Sequence, residues 1–251
     1  MNNQKAFFQA ADSQKRYAFT LAEVLITLGI IGVVAALTMP SLIMKYQKQI
    51  FATKVKYAYN IVSRALQASI QENGTPDTWN YGNSRDANAE CDDACKAVMQ
   101  NDLKFMVDKY FLPYFKTAKI VPSKTNEYSI VINNGITLSF FIDGTNIIEG
   151  SGANAHTVYI PRTLYIIASF NNNTTHYAYK TRDYSKQDVF MLVNYKSGNK
   201  LLFWNSNTSL SNMLNSGYGC NENIDKNKRF SCGALIQYYG WQIKEDYPWN
   251  K

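Results

Sequence analysis

Arg16 to Ser41 reads RYAFTLAEVLITLGIIGVVAALTMPS, and its interpretation decides how the rest of the 251-residue chain is organised. Phe19 to Met39 is a run of twenty-one residues with a single charge, Glu23. An apolar helix needs about 20 residues, at about 1.5 Å each, to cross a bilayer core, so this segment is long enough for a membrane span. A secretory signal peptide is built differently, with an apolar run of about 7 to 15 residues followed by a small-residue cleavage site. Here the run is longer, and the small residue, Ala18, precedes it, behind the basic pair Lys15 and Arg16. Cleavage after Ala18 would keep the hydrophobic helix on the mature chain, create a free amine on Phe19 and leave the positive residues on the cytoplasmic side.

Glu23 then needs an explanation. An acid in the apolar layer costs up to about 2.5–3.5 kcal/mol at a helix centre and less near its end, so it calls for a partner. The new amine of Phe19, four residues earlier on the same chain or on a neighbour, is the candidate. The alternative is an acid at the interface that snorkels into water.

Ala18-Phe19-Thr20-Leu21-Ala22-Glu23-Val24-Leu25, followed by the Ile/Leu/Gly/Val/Ala run, resembles the processing and methylation signature of type IV pilins and type II secretion pseudopilins. The resemblance implies a leader, residues 1–18, removed by a prepilin peptidase. It also implies N-methylation of Phe19, a Glu23 that supports filament assembly, and Pro40 at a position where many members carry proline. Its other implied partners are further pilin or pseudopilin subunits, an inner-membrane assembly platform and the inner membrane itself. The precursor would be a single-pass inner-membrane protein with its head in the periplasm or outside, later part of a periplasmic or surface filament. Two features depart from the family pattern: Ala18 stands where glycine is usual, and the leader is longer than the shortest in the family.

Beyond Pro40, which lacks an amide hydrogen and should weaken or kink a helix locally, apolar residues continue at helical spacing. They are Ile43, Ile50, Val55, Ala58, Val62, Ala65, Leu66 and Ile70, interleaved with lysines, and Asn73-Gly74 with Pro76 is a stop signal. One helix from about Leu21 to Glu72 would measure roughly 78 Å. The expected organisation is a leader at 1–18, a membrane and assembly helix at 19–39, its amphipathic continuation at 40–74, and an exported globular head at 75–251.

Thr75 to Glu90 is polar and reads as a connecting loop, and Cys91 to Leu112 as a helix with Val98, Leu103, Met106, Val107 and Phe111 on its apolar face, ended by Pro113. From Tyr128 the period changes to strands. YSIVINNGITLSFFIDG holds two β runs around Asn134-Gly135, a strong hairpin signal, and Asp143-Gly144 reads as the next turn. Further β runs are Thr163 to Phe170, His176 to Lys180, Asp188 to Tyr195 and Lys200 to Trp204. Short connections imply an antiparallel meander. The fold class expected is therefore α+β, a long N-terminal helix on an antiparallel sheet, which the pilin resemblance also implies. The tail from Cys232 should form a short helix ending at Gly240, with Trp241, Tyr247 and Trp249 packing back on the head.

Four cysteines, Cys91, Cys95, Cys220 and Cys232, all lie beyond the apolar run, and an exported head favours disulfides. Three connectivities are open; the favoured one joins Cys91 to Cys95 and Cys220 to Cys232, with a zinc site as the rival. The second pair would pin a C-terminal loop resembling the disulfide-bounded region of many type IV pilins. Asn221, Asn223, Asp225 and Asn227 alternate as in calcium loops, but the turn glycine is missing and Cys232 stands where the closing glutamate belongs, so no metal site is expected.

No catalytic constellation is present: His156 and His176, on a loop and a strand edge, are accompanied by no nucleophile elbow, phosphate loop or His-Glu metal motif, so neither an enzyme nor a cofactor is expected. The net charge of +7 is scattered rather than gathered into a stripe. That disfavours nucleic-acid reading, although a minor tip pilin acting as adhesin or DNA receptor stays as an alternative, as does a signal-anchored periplasmic binding module or enzyme.

Overall fold

The computed structural model describes residues 19–116, 119–121, 127–171, 182–194 and 198–249. The chain divides into two compact units, residues 1–46 and 47–251. Helix α1, Leu21–Asn73, begins in the first and ends in the second.

In the first unit the apolar side chains of α1 are exposed, as Leu25 (62 %) and Leu37 (77 %) illustrate. This helix is long and apolar enough to cross a membrane. Helical structure continues through Pro40. On either side of the proline, hydroxyls bond to backbone carbonyls: Thr38 Oγ1 donates to Val34 (2.9 Å) and Ser41 Oγ to Thr38 (2.9 Å).

In the second unit α1 becomes a core helix. Phe51, Ala52, Val55, Ala58, Val62, Ala65, Leu66 and Ser69 are buried, a stripe that follows the helical repeat. Two residues expected on that stripe, Ile43 and Ile50, are instead exposed, and Phe51 and Ala52 take the place of Ile50. Large rings fix this face: Phe51 packs edge-on to Phe170 and beside Trp249, while Tyr59 stacks on Phe203. Tyr59 Oη also donates to the Leu201 carbonyl (3.1 Å).

Helix α2, Asp93–Tyr110, is capped by Asp92, whose carboxylate accepts from the Cys95 amide (2.8 Å). Its buried face is Leu103, Met106, Val107 and Tyr110. Val98, expected on that face, is 47 % exposed, because the first turns of α2 stand over an open cavity instead of packing directly on the sheet. Phe111 and a 3-10 turn over Leu112–Tyr114 then end the helix, with Pro113 inside the turn.

The strands are β1 (Arg85–Asp86), β2 (Lys119–Val121), β3 (Tyr128–Val131), β4 (Thr137–Glu149), β5 (His156–Ser169), β6 (Asp188–Asn194) and β7 (Leu202–Phe203). They form one antiparallel sheet in the order β2-β3-β4-β5-β6-β7, with β1 pairing to the outer part of β5. The long N-terminal helix and the antiparallel meander give the α+β, pilin-like architecture. The hairpin between β3 and β4 turns on Asn134 and Gly135, both at positive φ (68° and 70°), the conformation for which asparagine and glycine are favoured.

Asp143-Gly144 is not a turn. It lies within β4, where the pairing to β5 slips: Asp143 faces Thr163 and Gly144 faces Pro161, leaving Arg162 as the extra residue of a bulge. Gly144 is required there because a Cβ would stand 2.1 Å from the Ile160 carbonyl oxygen. Proline on the bulged strand is tolerated because a ladder donor is already missing at such a site. The true reversal follows Glu149, with Gly150 and Gly152 at positive φ. His156 opens β5 rather than sitting in a loop, and the segment expected as a strand at 176–180 lies outside the described residues. The region read as a loop from Thr75 to Glu90 contains β1 and a 3-10 turn at Pro76–Thr78.

Both faces of the inner strands are covered, which is why β6, DVFMLVN, reads as an unbroken apolar run. One face carries Leu138, Phe140, Leu164, Ile166 and Met191, packed toward α1 and α2 through contacts such as Phe111 with Phe140 (5.6 Å). The other carries Ile167 and Phe190 under a second aromatic layer of Tyr184 and Phe230. Helices α3 (Leu210–Asn215) and α4 (Cys232–Tyr238) complete the unit. Gly233 lets α4 lie directly on the sheet, since a Cβ there would meet Phe203 and Val189 at 2.5 Å.

Candidate functional site

The chemically distinctive residues at the start of α1 are Phe19, Thr20 and Glu23. Phe19 is 85 % exposed. Ala18, the residue before the expected cut, lies outside the described residues. Glu23 Oε2 accepts two bonds from Thr20, one from its amide (2.9 Å) and one from its hydroxyl (2.8 Å), while Thr20 Oγ1 accepts from the Glu23 amide (3.2 Å). The Thr20 carbonyl takes the first helical bond, from Val24 (3.2 Å). Thr20-Leu21-Ala22-Glu23 is therefore a reciprocal capping box, which satisfies donors that an open helix end would strand in the apolar layer. The sequence carries the signal, threonine with glutamate three residues on, alongside the expected pairing of Glu23 with the Phe19 amine. The cap occupies one carboxylate oxygen; Oε1 makes no hydrogen bond among the described residues.

The remaining candidates fall in the second unit. Cys91 is bonded to Cys95, just before and within the first turn of α2, and Cys220 to Cys232, which encloses the segment of Asn221, Asn223, Asp225 and Asn227. Two of the oxygen side chains of that segment serve the loop itself. Asn221 Oδ1 accepts from the Asn223 amide (2.8 Å), and Asp225 pairs with Lys228 (3.7 Å). His156 is exposed and stands 4.0 Å from Glu149 across the β4–β5 pair; His176 lies outside the described residues.

Two buried arginines were not read from the sequence. Arg229, inside the disulfide loop, donates through Nε to the Ile224 carbonyl (2.8 Å) and through Nη1 to Ser185 Oγ (3.2 Å) and the Pro248 carbonyl (3.3 Å). Tyr247 donates to the Ser185 carbonyl (2.8 Å). This clasp holds the tail, so Tyr247 and Trp249 are buried and Trp241 lies beside Tyr59 and Phe203. Burial lowers the Arg229 pKa and pushes the Tyr247 phenol well above its usual value. Arg182 is the second: it lies between Asp188 (3.4 Å) and Glu127 (3.6 Å) and donates to Ser169 Oγ (3.1 Å). Burial raises the Asp188 pKa, opposed by the Ser169 hydroxyl and the Arg182 charge. No run of sequence marks either arginine, because Ser185 and Pro248 come to Arg229, and Glu127 and Ser169 to Arg182, from other segments of the chain.

A profile of the prokaryotic N-terminal methylation motif matches residues 13–39, the prepilin-type signature of type IV pilins and pseudopilins. From the next turn onward, residues 41–250 match the family of unknown function DUF6613. The chain belongs to the DUF6613 family. No curated protein and no solved structure matches it. This DUF6613 member thus joins two parts that meet at Pro40, a prepilin-type apolar helix and the family's own head. The signature and the exposed apolar helix together mark a pilin- or pseudopilin-type subunit with a membrane-anchored precursor, and the motif implies processing by a prepilin peptidase and assembly with other pilin subunits.

Proposed function

We propose that the chain is a structural subunit of a type IV pilus-like or type II secretion pseudopilus filament. Its precursor is cut after Ala18, methylated on Phe19, held in the inner membrane by residues 19–39, and polymerised through that helix. The observation that carries this reading is the exposed apolar surface of α1 with one acid at its front, Glu23, which keeps a carboxylate oxygen open beyond its cap. Packed against like helices, that surface leaves the lipid or water and becomes the filament core, with the head outside. An acid in such a core is costly unless paired, so Glu23 Oε1 meeting the Phe19 amine of a neighbour would penalise misregistered subunits more than it stabilises correct ones. Pro40 lies where the assembly helix gives way to the part that belongs to the head.

Mass spectrometry of the mature N-terminus from membranes of the native host tests the pathway. A chain beginning with N-methylated Phe19 is expected. A chain still beginning at Met1 would overturn the reading and favour a membrane-anchored binding module.

A further inference from the structure

A cavity of about 730 Å³ opens in the second unit between the first turns of α2, strand β1 and the outer halves of β4 and β5. That volume is in the range of small-molecule sites. Its apolar lining is Val98, Met99, Leu103, Phe141, Ile142 and Pro161. Val98, nearly half exposed on α2, owes its position to this opening.

The charged groups on the wall are unequal in their engagements. Asp102 accepts from the Asn83 amide (3.1 Å), Glu127 pairs with Arg182 (3.6 Å), and Lys96 pairs with Asp93 (3.0 Å). Arg85 has no carboxylate within ion-pair distance among the described residues. Its guanidinium lies over the Tyr159 ring, 4.4 Å from the centroid, and its Nε is buried without an acceptor. The pairing of β1 with β5, Arg85 opposite Tyr159, fixes the backbone beneath it. Tyr81, only 5 % exposed, lines the same cavity, and its hydroxyl also lacks a hydrogen-bond partner among the described residues. The loop between them is shaped to the wall: Gly82 sits at φ +115°, and a Cβ there would stand 2.6 Å from Asp102 Oδ2.

We propose that this cavity binds a small carboxylate with an apolar, ring-bearing body, its carboxylate on the Arg85 guanidinium and its body against α2 and Ile142. A planar monoanion matches the fork of a guanidinium held flat by stacking. Asp102, on the same wall, repels a dianion such as a phosphate monoester more strongly than a monoanion. The site is independent of the filament helix.

The test uses the full chain in lipid nanodiscs, with empty nanodiscs as the blank, and saturation-transfer NMR with phenylpropionate and naphthoate against their primary amides. Both carboxylates should bind, with the amides about tenfold weaker, the effect of losing one charge-assisted hydrogen bond. Arg85→Gln should weaken carboxylate binding about tenfold and erase the preference over the amides. Val98→Trp, at an exposed position, should block the mouth and abolish binding without moving the thermal melt, which keeps the test informative if Arg85→Gln folds poorly. Amides that bind as well as carboxylates, variants that both bind as the parent does, or no transfer from either carboxylate at about 1 mM would each overturn the proposal.

Discussion

Glu23→Gln separates the cap seen at the start of α1 from the pairing proposed for Glu23 in the filament. As the third residue of a capping box, glutamine is an accepted substitute, since its carbonyl oxygen can still receive the Thr20 amide and hydroxyl that now reach Oε2 at 2.9 and 2.8 Å. The helix end should therefore survive. What the substitution removes is the charge, and in the proposed filament core, where the neighbour's Phe19 amine would be left alone, losing one member of a buried ion pair costs about 3–5 kcal/mol. At about 1.4 kcal/mol per factor of ten, each subunit contact would weaken by roughly two to four orders of magnitude. Thr20→Ala does the reverse: it loses the cap, about 1 kcal/mol, and keeps the acid. The assay is the amount of chain in sheared filaments, normalised to processed chain in membranes. Glu23→Gln should be processed and leave the filament fraction nearly empty, while Thr20→Ala should only reduce it. Normal filaments from Glu23→Gln, or loss as complete from Thr20→Ala, would refute the pairing and reduce Glu23 to a helix cap.

Three further outcomes follow from the head. Gly144→Val forces a side chain onto the Ile160 carbonyl and should destabilise the fold by roughly 2–4 kcal/mol, read as a lower urea midpoint; an unchanged midpoint would mean the bulge is not held. Replacing Cys220 and Cys232 together by serine should remove roughly 2–4 kcal/mol, measured in the same denaturation, with the Arg229 clasp as the part expected to loosen first on hydrogen exchange. Asp188 supplies a pH test: its folded pKa is raised, so its contribution is fully present below the unfolded pKa and is lost as pH rises through the folded one. The parent chain should therefore lose stability relative to Asp188→Asn as pH rises through that window. A difference independent of pH would show that Asp188 titrates alike in both states.

Local patterns made several elements readable in advance. The apolar run with one acid, the helical stripe from Val55 to Leu66, the Asn134-Gly135 hairpin and the alternation from Tyr128 are all short-range signals, and each element follows from side chains within a turn or a strand of one another. Asp143-Gly144 misled because the same dipeptide that makes a tight turn also suits a bulge, and the choice lay with β5, whose Pro161 faces Gly144 from another part of the chain. Val98 misled because periodicity shows which residues could be buried but not where a cavity opens beneath them.

By itself, the sequence determined that this chain carries a prepilin-type apolar helix and continues into an α+β head, because hydrophobic length and period are properties of consecutive residues. Only the tertiary structure decided the rest. It brought Arg229 from the disulfide loop to the tail carbonyl of Pro248, and Arg182 between Glu127 and Asp188. It also left Arg85 stacked on Tyr159 beside an apolar cavity. Charge and hydrogen-bond satisfaction act over a few ångströms in space, and residues that meet there, such as Arg85 with Tyr159 or Arg182 with Glu127, can be separated by tens of positions along the chain.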